Sequence, residues 1–169
     1  VARLLLIALC LALATPALAG RCRLDRQAYA PADDLEAIDV ELIGKAKKRI
    51  DFAAYVLTDV RIVTALDEAA ARGVKIRLYR DGADVHMPKA LADAYDRLAA
   101  RPNVEIRYKA EPAPLMHLKA YSVDGKFVRD GAGNFSHSGL TRQDNSLVVL
   151  RCRAAVKRFR RAFEEMWRR

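Results

Sequence analysis

His117 and Lys119 stand one residue apart in Met116-His117-Leu118-Lys119-Ala120-Tyr121-Ser122-Val123-Asp124, a run with the character of a strand. Alternate side chains of a strand share a face, so the imidazole and the ammonium project together while Leu118 and Ala120 face the other way. On a helix the same pair would diverge. An imidazole beside an ammonium suits a phosphate ester. Histidine can attack phosphorus or protonate a leaving oxygen near neutral pH, and lysine neutralises the non-bridging oxygens. Downstream, Gly131-Ala132-Gly133-Asn134-Phe135-Ser136 is a glycine-rich turn that allows close backbone approach to a ligand, with Asn134 offering an amide. Lys119, Gly133, Asn134 and Ser136 form the candidate substrate-contacting set. Asp144, in Gln143-Asp144-Asn145, is placed to brace an imidazole by accepting its ring hydrogen. Asp124 completes the motif, but it falls on the opposite strand face from His117, at a turn, and reads as support rather than direct chemistry. His86 reads as a loop residue, and His137 either touches substrate or is simply exposed. Neither makes a metal site with the carboxylates by spacing, so no metal and no cofactor is expected.

The elements around this motif follow from periodicity. Residues 31–49 form an amphipathic helix with acids in the first turns and Lys45, Lys47, Lys48 and Arg49 at the end. A strand over 50–56 follows, then a helix over 60–72 stopped by Gly73. Next come a strand over 74–79, a helix over 87–100 and a strand over 104–108. This alternation argues an α/β layer with parallel neighbours. After it the grammar changes. Two strands, 117–124 and 126–129, are joined by the tight Asp124-Gly125 turn; a strand over 145–150 and an arginine-rich helix over 154–168 close the chain. The expected architecture is α/β, a mixed, mainly parallel sheet flanked by helices on both faces. No repeat and no linker divides it.

The chain has 169 residues, 52% hydrophobic and 30% charged, with 30 Lys and Arg against 21 Asp and Glu, for a formal net charge of +9. That is a globular composition, long enough for one domain with a real core. Eight Gly and six Pro exclude collagenous or low-complexity architecture. Cationic excess attracts polyanions such as nucleic acid or anionic lipid headgroups. Residues 1–19 carry one charge, Arg3, then an apolar stretch from Leu4 to Ala14, a Thr15-Pro16 break and Ala17-Leu18-Ala19. This is the layout of a secretory signal peptide with cleavage after Ala19, and the expected location is periplasmic or secreted. A retained anchor is the alternative, although the stretch is short for a span. Residues 20–169 are then the single domain. Of Cys10, Cys22 and Cys152, the last two remain in an oxidising compartment, where they either pair or stay as thiols; export favours the pair.

At these residues the sequence resembles the phospholipase D superfamily. Its His-x-Lys-(x)4-Asp signature is met by His117, Lys119 and Asp124, its Gly-Ser-x-Asn element by Gly131, Ala132, Gly133 and Asn134, and its later acidic-Asn pair by Asp144-Asn145. The segment from Lys47 to Tyr55, then Arg72 to Arg77, and a closing helix with Trp167 also match, so the likeness covers about residues 30–169. It is greatest for the small, single-motif exported bacterial nucleases. The resemblance implies a metal-independent reaction in which two motif copies build one site. One copy per chain then implies a homodimer with its active site on the two-fold axis. In that scheme one His117 attacks phosphorus to give a phosphohistidine, the other protonates the leaving oxygen and then activates water, and Lys119 and Asn134 hold the phosphoryl oxygens. Asp144 orients a histidine across the interface or within the chain. Two departures stand out. Ala132 replaces the usual serine, a loss of up to about 2.7–4 kcal/mol of transition-state stabilisation if that hydroxyl were a primary contact. Asp144 replaces the commoner glutamate.

The leading expectation is a non-specific endonuclease on DNA or RNA, since phosphate contacts give affinity without reading bases. The alternatives are a phospholipase D-type hydrolase of phospholipids such as cardiolipin, and a non-catalytic nucleic-acid-binding module of which Ala132 is the first sign. The seven arginines from Arg151 onward read as a solvated face or as a phosphate-binding flank.

Overall fold

Apolar spacing switches between two residues and about 3.6 along the chain, and the elements follow it. The computed structural model describes residues 22–82, 87–109, 112 and 114–169; the leader expected over 1–19, with Cys10, and the loop residue His86 lie outside them. In order come β1 (Arg23–Ala30), α1 (Leu35–Gly44), β2 (Arg49–Ala54), α2 (Val60–Ala71), β3 (Lys75–Arg80), α3 (Lys89–Ala99) and β4 (Val104–Tyr108). Then follow β5 (Lys119–Val123), β6 (Phe127–Gly131), α4 (His137–Thr141), β7 (Asn145–Arg151) and α5 (Arg153–Trp167). The strands make one sheet in the order β1-β7-β6-β5-β2-β3-β4. Ile50, Phe52 and Ala54 of β2 enter the larger core with Leu35, Ile43, Leu66 and Leu98 of α1, α2 and α3. Ala53 and Tyr79 enter a second cluster with Phe163 and Trp167 of α5. Helices therefore cover both faces of the sheet.

Three sequence expectations are corrected. The sheet is mixed but not mainly parallel: β2–β3 and β3–β4 are parallel, and the other four pairings are antiparallel. Helical crossovers end at β4. Beyond it the chain turns back through a hairpin, and α4, five residues long, packs on α1 instead of carrying the chain across the sheet. β1 escapes the pattern because it is an edge strand with three charged residues in Arg23–Ala30, burying only Ala28 and Ala30. The first helix is shorter than 31–49. Asp34 caps it by accepting from the Ala37 N–H, and the residues after Lys45 leave it for another partner.

That partner is Asp124. It occupies the left-handed region at φ 55°, which aspartate tolerates, and its own N–H donates to Arg49 O. Its carboxylate accepts from the backbone N–H groups of Lys47 (3.1 Å), Lys48 (2.7 Å) and Arg49 (3.0 Å). Burial pushes this carboxyl up, but the three N–H groups outweigh it and hold the pKa below the ordinary value. At the other edge, Cys22 and Cys152 form a disulfide with their Cα atoms 4.7 Å apart, joining the start of β1 to the cap of α5 across 130 residues.

Asp124→Ala is expected to lower the unfolding free energy by about 2–4 kcal/mol at neutral pH, from the lost charge-assisted bonds and the left-handed backbone. A depressed carboxyl stabilises above its unfolded pKa and loses that contribution as pH falls through the folded value. The gap between wild type and variant in urea melts should therefore narrow as pH falls below about 4, leaving the backbone part, which does not titrate. Cys22→Ala/Cys152→Ala, or reduction, should cost up to about 5 kcal/mol by loop entropy, read as a lower melting temperature that a reducing agent no longer changes in the variant.

Candidate active site

The lysine of the motif is drawn inward. Lys119 opens β5, paired with Ala54 on β2, and is 5% exposed. Its Nζ lies 2.9 Å from Nδ1 and 3.0 Å from Nε2 of His117, and it donates to His117 O at 2.8 Å. Only a ring nitrogen with a free lone pair can accept, so the ammonium serves one nitrogen at a time. Burial lowers the pKa of this lysine, and no carboxylate pairs with it among the described residues. His117 itself is exposed. Its ring packs on Tyr55, with centroids 4.5 Å apart at 51°, and Lys119 Nζ is 5.1 Å from the same tyrosine ring. Two hydrogen bonds aim this end of the strand. Tyr55 N–H donates to Leu118 O at 2.9 Å, and Met116 N–H donates to the buried Asp81 carboxylate at 2.8 Å.

The glycine turn arrives on the other side of the same connection. Phe135 N–H donates to Val56 O, and Phe135 O accepts from Thr58 and Asp59 N–H, so residues 55–59 hold His117 at one end and the Asn134 turn at the other. Asn134 keeps a buried side-chain Oδ1 with no partner among the described residues, while its backbone carbonyl accepts from Ser136 N–H. The glycines serve this packing rather than a ligand. A Cβ at Gly131 would meet Ser146 O at 2.4 Å, and one at Gly133 would meet Gly139 O at 2.8 Å. Gly133 is buried against α4, and the Ser136 hydroxyl accepts from Gly139 N–H as the cap of that helix. Gly133 thus packs inside the turn, and Ser136 accepts there while its O–H remains a donor. Exposed Ala132 and half-buried Asn134 are what the turn presents outward.

Asp144 is exposed in the bend before β7, and no hydrogen bond joins it to His117 within the chain. Asp124 sits at the far end of β5, about 23 Å along the chain from His117 at strand rise. Its role here is that of a corner brace. A small cleft of about 180 Å³ opens beside the histidine, lined by Tyr79, Lys109, Leu115, His117, Met166 and Arg169. Another cavity, near 320 Å³, lies at the Asp124 end and holds neither His117 nor Lys119.

Several site residues carry no local signal in the sequence. Arg129, fully buried, pairs with equally buried Asp39 and donates through Nη1 to Lys119 O at 2.8 Å. Burial pushes the Asp39 carboxyl up, opposed by the Arg129 fork and the Tyr121 hydroxyl. Arg80 shares a face with Lys119, since both lie opposite Ala54, and its guanidinium stacks 4.9 Å from Tyr95 and 5.6 Å from Tyr108. Among the described residues one histidine–carboxylate group could share an ion: Glu36, Asp59 and His137, behind the Asn134 turn and away from His117. Burial and the neighbouring Glu36 carboxylate push the Asp59 pKa up to about 6.

Similarity to known proteins agrees with this geometry. The family model described as "Cardiolipin synthase, PLD-like domain" matches residues 40–167. A mitochondrial cardiolipin hydrolase from Chlamydomonas reinhardtii is 20% identical over 148 residues, 88% of this chain and 64% of that protein. A phospholipase D from Rickettsia conorii is 29% identical over 109 residues, 64% of this chain and 52% of that protein. The chain thus spans about half to two thirds of these relatives. Among solved structures, Nuc from Salmonella typhimurium, a phospholipase D family member, superposes with a TM-score of 0.76 at 23% identity, covering 88% of this chain and 95% of Nuc. NucT from Helicobacter pylori gives 0.73 at 21%, covering 85% and 94%. With the family match spanning most of the chain and His117, Lys119 and Asn134 converging at one sheet end, the protein belongs to the phospholipase D superfamily.

Proposed function

We propose that this protein is a metal-independent phosphodiesterase, and that its substrate is the backbone of DNA or RNA, cleaved internally without strong sequence preference. The observation that carries the reading is the pair itself: an exposed imidazole with a buried, carboxylate-free ammonium 2.9 Å from its ring. An anionic phosphoryl group supplies the counter-charge that Lys119 does not find among the described residues. One imidazole nitrogen forms a bond to phosphorus as the bond to the leaving oxygen breaks, and a second histidine gives that oxygen its proton. The same second histidine then takes a proton from water, whose oxygen displaces the first imidazole and restores both rings. The second histidine is His117 of another copy, so the working unit is a homodimer with the site on its two-fold axis. Asp144, exposed and without a partner for its carboxylate among the described residues, is available to orient a ring across that axis. Net charge +9 supports a polyanionic substrate. The Cys22–Cys152 bond supports export to an oxidising compartment.

A second reading has its own observation. Leu115, 61% exposed, and Leu118, 38% exposed, flank His117, an apolar rim of the kind a phospholipid headgroup enzyme presents to its substrate surface.

The mature chain should cut plasmid DNA or single-stranded RNA in excess EDTA at 25 °C. His117→Ala should lower that rate by roughly 10²–10⁴-fold at unchanged melting temperature. Loss of activity in EDTA at an unchanged melting temperature would refute the histidine chemistry, and turnover of cardiolipin or phosphatidylcholine vesicles without nucleic acid would favour the lipid reading. Sedimentation should give a dimer at working concentration; an active, strictly monomeric protein would overturn the shared site.

A further inference from the structure

Behind the Asn134 turn, three elements bring one ligand atom each to a common point. Glu36 comes from the first turn of α1, Asp59 is the cap of α2, and His137 opens α4. Their ligand atoms all lie within 4.8 Å of one another. Each carboxylate has one oxygen already engaged and one left. Glu36 Oε2 accepts from Arg61 Nη1, while Oε1 faces His137 Nδ1 at 3.3 Å. Asp59 Oδ1 accepts from the N–H groups of Arg61 (2.9 Å) and Ile62 (3.1 Å), while buried Oδ2 has no donor among the described residues other than a proton shared with the adjoining Glu36 carboxyl. This division of labour, one oxygen held by an outer partner and the other free, is how carboxylates are oriented toward a metal.

The geometry points to a divalent transition-metal site, zinc-like in class, formed by Glu36 Oε1, Asp59 Oδ2 and His137 Nδ1. Tetrahedral zinc with bonds of about 2.0–2.1 Å sets its ligand atoms about 3.3 Å apart, and the Glu36–His137 separation already has that value. One nitrogen and two oxygens suit zinc or a neighbouring transition ion, whereas magnesium and calcium take larger all-oxygen shells. The two carboxylates are buried, and Arg61 offsets only one of their charges. His137, with 59% of its side chain exposed, leaves an entry path and a position for water. The ion ties α1 and α4 to the start of α2, where Thr58 and Asp59 N–H groups hold Phe135 O. It therefore braces the turn that carries Asn134 and takes no part in the phosphoryl chemistry.

The test uses the full chain stripped with chelator and dialysed, titrated with zinc chloride by calorimetry and followed by thermal melting. One zinc per chain and a melting temperature that climbs with zinc concentration are expected. Asp59→Asn keeps the helix cap, and His137→Ala changes an exposed side chain, so both variants should fold; each should bind zinc at least about tenfold more weakly. Absence of heat and of a melting shift, equal zinc binding by both variants, or equal protection by magnesium chloride would each overturn the site. His117-dependent cleavage in EDTA is read separately, so either idea can fail alone.

Discussion

A guanidinium removed from water must find acceptors for its donors, and Arg129 finds them in two elements that the sequence keeps far apart. Its Nε and Nη2 grip both oxygens of Asp39 on α1 at 2.8 and 2.6 Å, its Nη1 reaches Lys119 O, and the plane lies 4.7 Å from the Phe135 ring. The Tyr121 hydroxyl donates to the same aspartate at 2.8 Å. Helix α1, the strand that begins with the motif lysine, and the ring beside Asn134 thus meet one fixed fork. Removing one member of such a pair leaves an uncompensated buried charge, worth about 3–5 kcal/mol. The consequence reaches beyond stability. Lys119 and Asn134 lie on different elements, and the Arg129 fork contacts the backbone of one and the neighbour of the other.

The same end of the sheet gathers positive charge at a desolvation cost. Lys119 and Arg80 both flank Ala54 on one face, which places their Cα atoms about 10 Å apart at ordinary strand spacing. Aromatic faces offset part of the cost: Tyr55 for the lysine, Tyr95 and Tyr108 for the arginine. Cations held this way exert a larger field at the sheet end than mobile surface lysines would, because little water screens them. Net charge acts at long range; these two act at the sheet end that carries His117.

What could be read in the sequence and what could not separates along a physical line. His117, Lys119 and Asp124 announce themselves because a strand's period of two and its length fix where each points. The helices and strands from α1 to β4 follow from apolar spacing, and the β5–β6 hairpin follows from Asp124-Gly125. Pairings between distant elements leave no such trace. Arg129 looks like any strand residue until Asp39, 90 positions away, is placed beside it. Tyr55 ends an apolar run and gives no sign that its ring will seat an imidazole. His137, Glu36 and Asp59 sit on three separate elements, so no spacing rule could unite them. Gly133 and Ser136 are ambiguous for the opposite reason: a glycine-rich turn has the same composition whether it cradles a ligand or packs against its own chain, and the contacts with α4 appear only in the structure.

Strand β5 runs from Lys119 to Val123, and Asp124 follows at once. The interval between the lysine and the aspartate is therefore a length, the width of the sheet measured along a single strand. At one end that strand delivers an ammonium to the site; at the other it delivers a carboxylate to the three N–H groups leading into β2. Shortening it by one residue would either pull the carboxylate off those groups or turn the lysine to the α5 side. The motif's spacing is a ruler cut to the scaffold, with a chemical mark at one end and an architectural mark at the other.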